Sequence, residues 1–335
     1  MANPVLVELT RGELVESVHR GSVAIVDAAG AVRFALGDVT TPVYSRSSLK
    51  PIQAIPLVES GAAEAFGLSD QEIALACASH SGEPMHTERV AAWLARIGLD
   101  EGDLACGAHP SRYEPVAEAM IREGKKPTRI FNNCSGKHTG FLTVARHWDI
   151  ATAGYERVDH PVQRAVAAAL GDLSGVKNMP WGVDGCAAPN FAVPLGAFAL
   201  AAARMAAPDA LPAPRAAAAR RIIGAMVAYP ELMSGTGRAC ATLIRASGGR
   251  VAVKAGAEGF FAAWIPEKDL GVAIKIDDGA ARASETAIAA VLDALGLLGP
   301  DPKARAILRG PVLNTRGATV GERRPTAALA SIKLS

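Results

Sequence analysis

The sequence predicts an α/β protein of the α+β kind: strands from the N- and C-terminal parts form one antiparallel sheet, flanked by helices, and a helical middle builds a separate lobe. Three observations predict it. Short runs of alternating apolar and polar residues fill roughly the first forty positions, the same pattern returns after residue 240, and between them apolar residues recur at helical spacing. These limits give sheet from about 1–45 and 240–300 and a helical middle at about 46–239, within a single unit spanning 1–335.

Taken in order, VLVEL, ELVESVHR, SVAIVD and VRFALGD are strands, with AAG turning the chain between the last two. Helices follow at Lys50 to Glu59, at Ser69 to Ala78 with Ser69 as N-cap, at Pro84 to Ile97, at Tyr113 to Glu123 and at His138 to Trp148. Asp159 is the expected cap of the next helix, with Pro161 in its first turn, and Ala-rich segments at 191–206 and 214–228 continue the helical part around the Pro-rich connector APDALPAPR. Strand pattern then returns in ATLIRAS, RVAVKAG, GFFAAWIP and VAIKID, and a helix runs from Arg282 to Leu297. A cleft between lobe and sheet is the natural site.

Composition narrows the function. A net charge of +2 without a dense basic run gives nucleic acid no footprint. The first residues lack a basic segment followed by an apolar one, and the apolar run ending in AFALAAARM is interrupted by Pro194, so a cytoplasmic chain without a membrane partner is expected. Five cysteines, at 77, 106, 134, 186 and 240, suggest no disulfide framework; they are reduced thiols, metal ligands, or both.

The chemistry lies in two serine and lysine pairs: Ser47 with Lys50 in SRSSLKP, and Ser79 in ASHSGEP with Lys254 in KAGAEG. A serine hydroxyl attacks only when a base takes its proton, and a lysine serves as that base only when its amine is neutral. Three residues apart, Ser47 and Lys50 share one face of a helix that Pro51 requires to begin nearby, which puts the hydroxyl at the helix's positive end. FNNCSGKHTG and GVDGCAAPN are the other segments where glycine lets backbone approach a ligand. The succession of Ser-x-x-Lys, a loop serine and a late-strand lysine before glycine is that of the penicillin-recognising serine hydrolases. Here ASHS stands for their Ser-Asp-Asn and Lys254-Ala255-Gly256 for Lys-Thr-Gly, which argues against a β-lactam substrate.

Through RSSLKP, ASHSGE, NNCSGKH, DGCAAPN and KAGAEG the chain resembles the Rhizobium etli type of L-asparaginase, whose fold is similar to that of serine β-lactamases. The resemblance implies catalytic pairs at Ser47 with Lys50 and Ser79 with Lys254, and a Zn2+ site at Cys134, Lys137 and Cys186, where lysine must be neutral to donate a lone pair. It places His138 and Asp184 beside the substrate, with Arg46 and Glu258 as further candidates, and it implies a homodimer. An acid such as Asp184 and a cation such as Arg46 would meet the ammonium and carboxylate of a free amino acid. The expected function is hydrolysis of L-asparagine through a serine acyl-enzyme: Ser47 attacks with Lys50 as base, and Ser79 with Lys254 relays a proton, although the sequence leaves open which serine attacks. Glutaminase or other small-amide activity with the same pairs, and a non-catalytic amino-acid-binding domain, are the alternatives. GATVGE offers Thr319 as an autoproteolytic residue only superficially, because too little chain follows it.

Overall fold

A computed structural model describes residues 2–330 and 332–334. Its strands are, in chain order, β1 (Val5–Arg11), β2 (Leu14–Asp27), β3 (Val32–Leu36), β4 (Pro42–Tyr44), β5 (Trp181–Val183), β6 (Pro189–Pro194), β7 (Ala252–Ala255), β8 (Phe260–Ile265), β9 (Leu270–Ile276), β10 (Gly310–Leu313) and β11 (Thr319–Pro325). The main sheet runs β10-β11-β1-β2-β9-β8-β7, with β3 also paired to β2. Its pairings are antiparallel, and the join between the two ends of the chain is β2 on β9, where Gly21 to Asp27 lie opposite Ile276 to Leu270. The α/β fold class with an antiparallel sheet is therefore the one expected.

Every residue of β8 is buried, as is nearly all of β9, because helices Leu195–Ala206 and Ala281–Ala294 pack on both strands. Such strands read as continuous apolar runs, not as alternating ones. The closest approach is at Gly271, where a Cβ would stand 2.0 Å from the Ala199 carbonyl oxygen, so only glycine lets the Ala-rich helix settle on the sheet. This helix is the apolar run noted above; among the described residues no helix is long and apolar enough to cross a membrane.

Four differences from the sequence reading have identifiable causes. ATLIRAS belongs to helix Ala239–Ala246: its buried Cys240, Ala241, Leu243 and Ile244 recur at helical spacing, which a short apolar run disguises. His160, whose Nδ1 accepts from the Val162 N–H at 3.3 Å, caps helix Pro161–Ser174, while Asp159 pairs with Arg157. The sheet extends past residue 300 through β10 and β11, whose residues are largely half-buried or exposed and lack a strong apolar signal. The helical middle also contains a small sheet, β4-β6-β5, on which Asp184 and Cys186 are mounted, and the Ala-rich helix begins only at Leu195 after β6.

Candidate active site

Three segments bring two lysines to one serine. Arg46–Leu49 forms a tight helical turn that continues into helix Lys50–Gln53, with Pro51 early in it as the missing proline N–H requires. Helix Asp70–Ala76, capped by Ser69 with Glu72 closing a capping box, delivers the chain to Ser79. Strand β7 carries Lys254. Lys50 Nζ lies 3.0 Å and Lys254 Nζ 2.8 Å from Ser79 Oγ. Lys50 also donates to the Ala78 carbonyl at 2.6 Å and reaches the Asn133 carbonyl at 3.5 Å; Lys254 donates to the Ala255 carbonyl at 2.9 Å. Both lysines are almost wholly buried. Burial above all, with the nearby Lys50 charge adding to it, lowers the Lys254 amine to about 7. The amine is thus a usable base near neutrality.

Ser47 stands differently. The sequence pairs it with Lys50, but the hydrogen bonds of the Lys50 amine go to the Ser79 loop and Asn133, and none goes to Ser47. Its neighbour Ser48 donates to the Lys254 carbonyl at 2.6 Å from a fully buried position. Ser47, half-buried, therefore sits between Ser48, fastened to the base-bearing strand, and Arg46, fastened to Asp184. Its hydroxyl makes no hydrogen bond among the described residues and is free for a ligand.

Arg46 Nε and Nη2 donate to Asp184 Oδ1 at 3.1 and 2.8 Å, and Nη1 lies 4.0 Å from Glu258 Oε1. The Asp184 carboxylate also accepts from the Gly185 N–H at 2.6 Å and from the Asn190 amide at 3.2 Å. Burial would raise this acid, yet Arg46, with Lys137 and Asn190, holds it at about 2. It is an anion throughout the physiological range. Arg46, Ala187 and Glu258 all have positive φ, at 50°, 73° and 56°. Such backbone costs on the order of 1–3 kcal/mol per residue and persists where the surroundings impose it, as they do here around Asp184.

Cys134, Lys137 and Cys186 also meet. Lys137 Nζ is 2.9 Å from Cys186 Sγ. A hydrogen bond from Cys134, assisted by the Lys137 ammonium, lowers the Cys186 thiol to about 4 and leaves the proton on Cys134, raised to about 12. No group of three His, Cys, Asp or Glu able to hold a metal occurs among the described residues, so this cluster is a metal site only with Lys137 as third donor. Helix Ser135–His147 starts three residues earlier than the periodicity suggested, placing Lys137 and His138 in its first turn. His138 is fully buried; its Nδ1 is 2.6 Å from the Tyr155 hydroxyl, which accepts the Ala105 N–H, and its Nε2 has no hydrogen-bond partner among the described residues. Burial pushes its pKa well below the usual imidazole value.

The sequence reading passed over the residues that hold the Ser79 loop. His80 and His86 look like ordinary loop and helix-start histidines, but both are buried and their rings stack with centroids 4.9 Å apart. His80 Nδ1 accepts the Gly82 N–H and Nε2 reaches Ser135 Oγ at 2.9 Å; His86 Nε2 reaches the Glu231 carbonyl at 3.0 Å. Glu83 accepts from Thr236 N and Oγ1 at 2.9 and 2.7 Å. At Gly235, with φ 124°, a Cβ would lie 2.0 Å from Ser81 Oγ, so glycine is required for these loops to close. No signal in the sequence sets these residues apart, because SHSGEPMH has the polar make-up of an ordinary solvent-facing loop.

Comparisons with known proteins bear on this arrangement. Among curated proteins none matches the chain. Among solved structures, a β-lactamase (Mb2281c) from Mycobacterium bovis is 14% identical, covering 79% of this chain and 89% of that one, with a TM-score of 0.44. Mglu in its native form is 13% identical, covering 84% of this chain and 66% of that one, with a TM-score of 0.47. D-alanine carboxypeptidase AmpC from Burkholderia cenocepacia is 11% identical, covering 78% and 88%, with a TM-score of 0.37. The family described as L-asparaginase II, the Rhizobium etli type that the motifs resemble, matches residues 7–325. That span runs from within β1 to the end of β11 and includes each segment of the site, and on it the chain belongs to the L-asparaginase II family of amide hydrolases.

Proposed function

We propose that the chain hydrolyses L-asparagine to L-aspartate and ammonia through an acyl-enzyme on Ser47. The observation that carries this reading is the Ser79 hydroxyl held between two buried amines, at 3.0 Å from Lys50 and 2.8 Å from Lys254. Two ammonium groups on one hydroxyl repel, so above about pH 7, where Lys254 loses its proton, the pair holds a neutral amine. A hydroxyl engaged from both sides can take a proton from one amine as it gives its own to the other. Ser79 is thus the relay, and Ser47, with no competing partner, is the attacking group.

In this reading Ser47 Oγ bonds to the side-chain carbonyl carbon of asparagine and gives its proton to the Lys50–Ser79–Lys254 chain through a contact that must form with substrate bound, since the Lys50 amine here turns to Ala78, Ser79 and Asn133. Backbone N–H groups of the turn at Arg46–Leu49 stabilise the oxyanion. The C–N bond breaks as the chain returns the proton to the leaving nitrogen, and ammonia departs. Water then attacks the ester, giving its proton to the same chain and releasing aspartate. Asp184, ionised and held by Arg46, receives the substrate ammonium; Glu258, with its side chain largely exposed, adds negative charge at the rim.

The donor set at Cys134, Lys137 and Cys186 fits zinc in its two sulfurs, one already favouring the thiolate and both in a buried place, while Lys137, an ammonium donating to Cys186, would have to give up its proton to join them. A zinc ion held by these three would act as a Lewis acid toward an oxygen bound in its remaining position. Elemental analysis is expected to find about one zinc per chain, as a three-ligand site implies. Occupancy should fall with pH because the ligands must lose protons to bind, and Cys186→Ala should remove the metal. A metal-free protein unchanged by that substitution would eliminate the site.

Substrate choice tests the reading. Clamping the amino-acid end fixes where the amide meets Ser47, and the extra methylene of glutamine displaces it by more than 1 Å, at a cost of roughly a hundredfold in rate. Ammonia release from the two amides, assayed side by side, should show asparagine preferred by about that factor in kcat/KM. Asp184→Asn should raise KM more than it lowers kcat. Comparable rates on both amides would make the protein a broader amidase, and no release from either would favour a binding domain.

A further inference from the structure

The Ser79 hydroxyl serves as a relay only where it stands, 3.0 Å from Lys50 and 2.8 Å from Lys254. Helix Asp70–Ala76 ends before it, and residues 78–83 belong to no helix or strand. Regular secondary structure does not fix it. Four successive contacts come in register from one segment, Met233 to Thr236. The Ser79 N–H donates to the Met233 carbonyl at 3.1 Å, and Ser81 Oγ donates to the Ser234 carbonyl at 3.2 Å. Gly235 packs on Ser81, and Thr236 donates to the Glu83 carboxylate.

The last contact closes the row. Glu83 is buried at the start of helix Pro84–Arg96, and each of its carboxylate oxygens takes a hydrogen bond from Thr236: Oε1 from the N–H at 2.9 Å, Oε2 from the hydroxyl at 2.7 Å. Thr236 itself is exposed and stands between Gly235 and Gly237, at φ 124° and 71°. Glycines on both sides give the segment a choice of backbone that only its contacts restrict. A buried acceptor stripped of its donor costs more than an ordinary hydrogen bond, since its desolvation is no longer offset. Without the Thr236 hydroxyl, Oε2 regains a donor by letting water in between the two segments. The Met233 carbonyl, three residues away, then loses its hold on Ser79, and a displacement of about 1 Å at a reacting group can cost roughly a hundredfold in rate.

We propose that Thr236 is a positioning residue for the proton relay: its hydroxyl, latched to Glu83, keeps Met233 to Thr236 against Ser79 to Glu83 and so holds Ser79 between the two lysines. The inference rests on the relay role given to Ser79 above and adds a residue outside the reacting groups. Arg46 and Asp184 stand on other segments. Loss of the latch should therefore slow turnover and leave substrate binding alone.

The test compares the wild type with Thr236→Val, which keeps the shape and loses the hydroxyl, and with Thr236→Ser, which keeps the hydroxyl. Thr236 is exposed, so both variants should fold, which circular dichroism and thermal unfolding check. Thr236→Val is expected to lower kcat on asparagine by about 10- to 100-fold with KM within about twofold of the wild type. Thr236→Ser should stay within a few-fold of the wild type. Glu83→Gln should also lower kcat, and adding Thr236→Val to it should cost little more, since both break one latch. An unchanged kcat in Thr236→Val, a loss that Thr236→Ser shares, a loss carried in KM, or fully additive losses in the double variant would overturn the proposal. A wild type that releases no ammonia from asparagine would instead contradict the function. In that case hydrogen exchange read by mass spectrometry decides: faster exchange of the peptide containing Ser79 in Thr236→Val but not in Thr236→Ser supports the latch, and any other pattern rejects it.

Discussion

Ser47→Ala is expected to lower turnover of asparagine by on the order of 10^4-fold or more while the protein keeps its fold. Ser47 is half-buried, its hydroxyl makes no hydrogen bond among the described residues, and removing one oxygen from it opens no sizeable cavity. The structure should therefore tolerate what the chemistry cannot. Thermal unfolding within a few degrees of the wild type, together with lost ammonia release, is the expected pair of results. The same substitution at Ser79 should also cost activity heavily, because it removes the hydroxyl that joins Lys50 to Lys254. It leaves the attacking group in place, however, and adding an external proton carrier such as ammonium or an imidazole buffer should recover part of the rate. No such recovery is expected for Ser47→Ala.

Lys254→Met should reduce kcat/KM by about 10^2- to 10^4-fold, the range for removing a general base. The pH dependence gives the sharper test. With its amine lowered to about 7, Lys254 is protonated below that pH and neutral above it, so wild-type kcat/KM should climb about tenfold per pH unit on the acid side and level off above about 7. Lys254→Arg keeps the positive charge at every pH and should stay inactive throughout. Stability carries the same sign. The folded state gives up its proton near pH 7 and the unfolded chain only near the ordinary lysine value of 10.5. Unfolding therefore takes up protons between those limits, and wild-type stability should rise with pH there relative to Lys254→Met. A flat activity profile, or a stability difference independent of pH over that window, would remove Lys254 as the base.

How far the sequence could be read differs from one element to the next. The join of N- and C-terminal strands was legible because β2, β8 and β9 are long and strongly apolar, and the helices from Ser69 to His147 because caps and prolines mark them. β10 and β11 were not, since a partly exposed pair of strands carries little hydrophobic pattern. In the site, the motifs brought Ser47, Lys50, Ser79, Lys254, Cys134, Lys137, Asp184 and Cys186 to attention. Spacing alone could not show that Lys50 turns to Ser79 and away from Ser47, a matter of tertiary packing against the Ala78 and Asn133 carbonyls. Nor could it show that Arg46 and Asp184, offered as two separate clamps for a substrate, hold each other at 2.8 Å. His80 and His86 stayed invisible for a similar reason: a buried stacked pair and a loop histidine look alike until the partners are known.

The central claim is that asparagine is cleaved through an ester on Ser47. Its most direct test is rapid acid quench of the enzyme during turnover, followed by digestion and mass spectrometry, with Ser79→Ala used as well to slow the proton steps. An added aspartyl group on the peptide containing Ser47, absent from Ser47→Ala, is the predicted result. The same group found on Ser79, or a burst of ammonia with no acylated peptide, would contradict it.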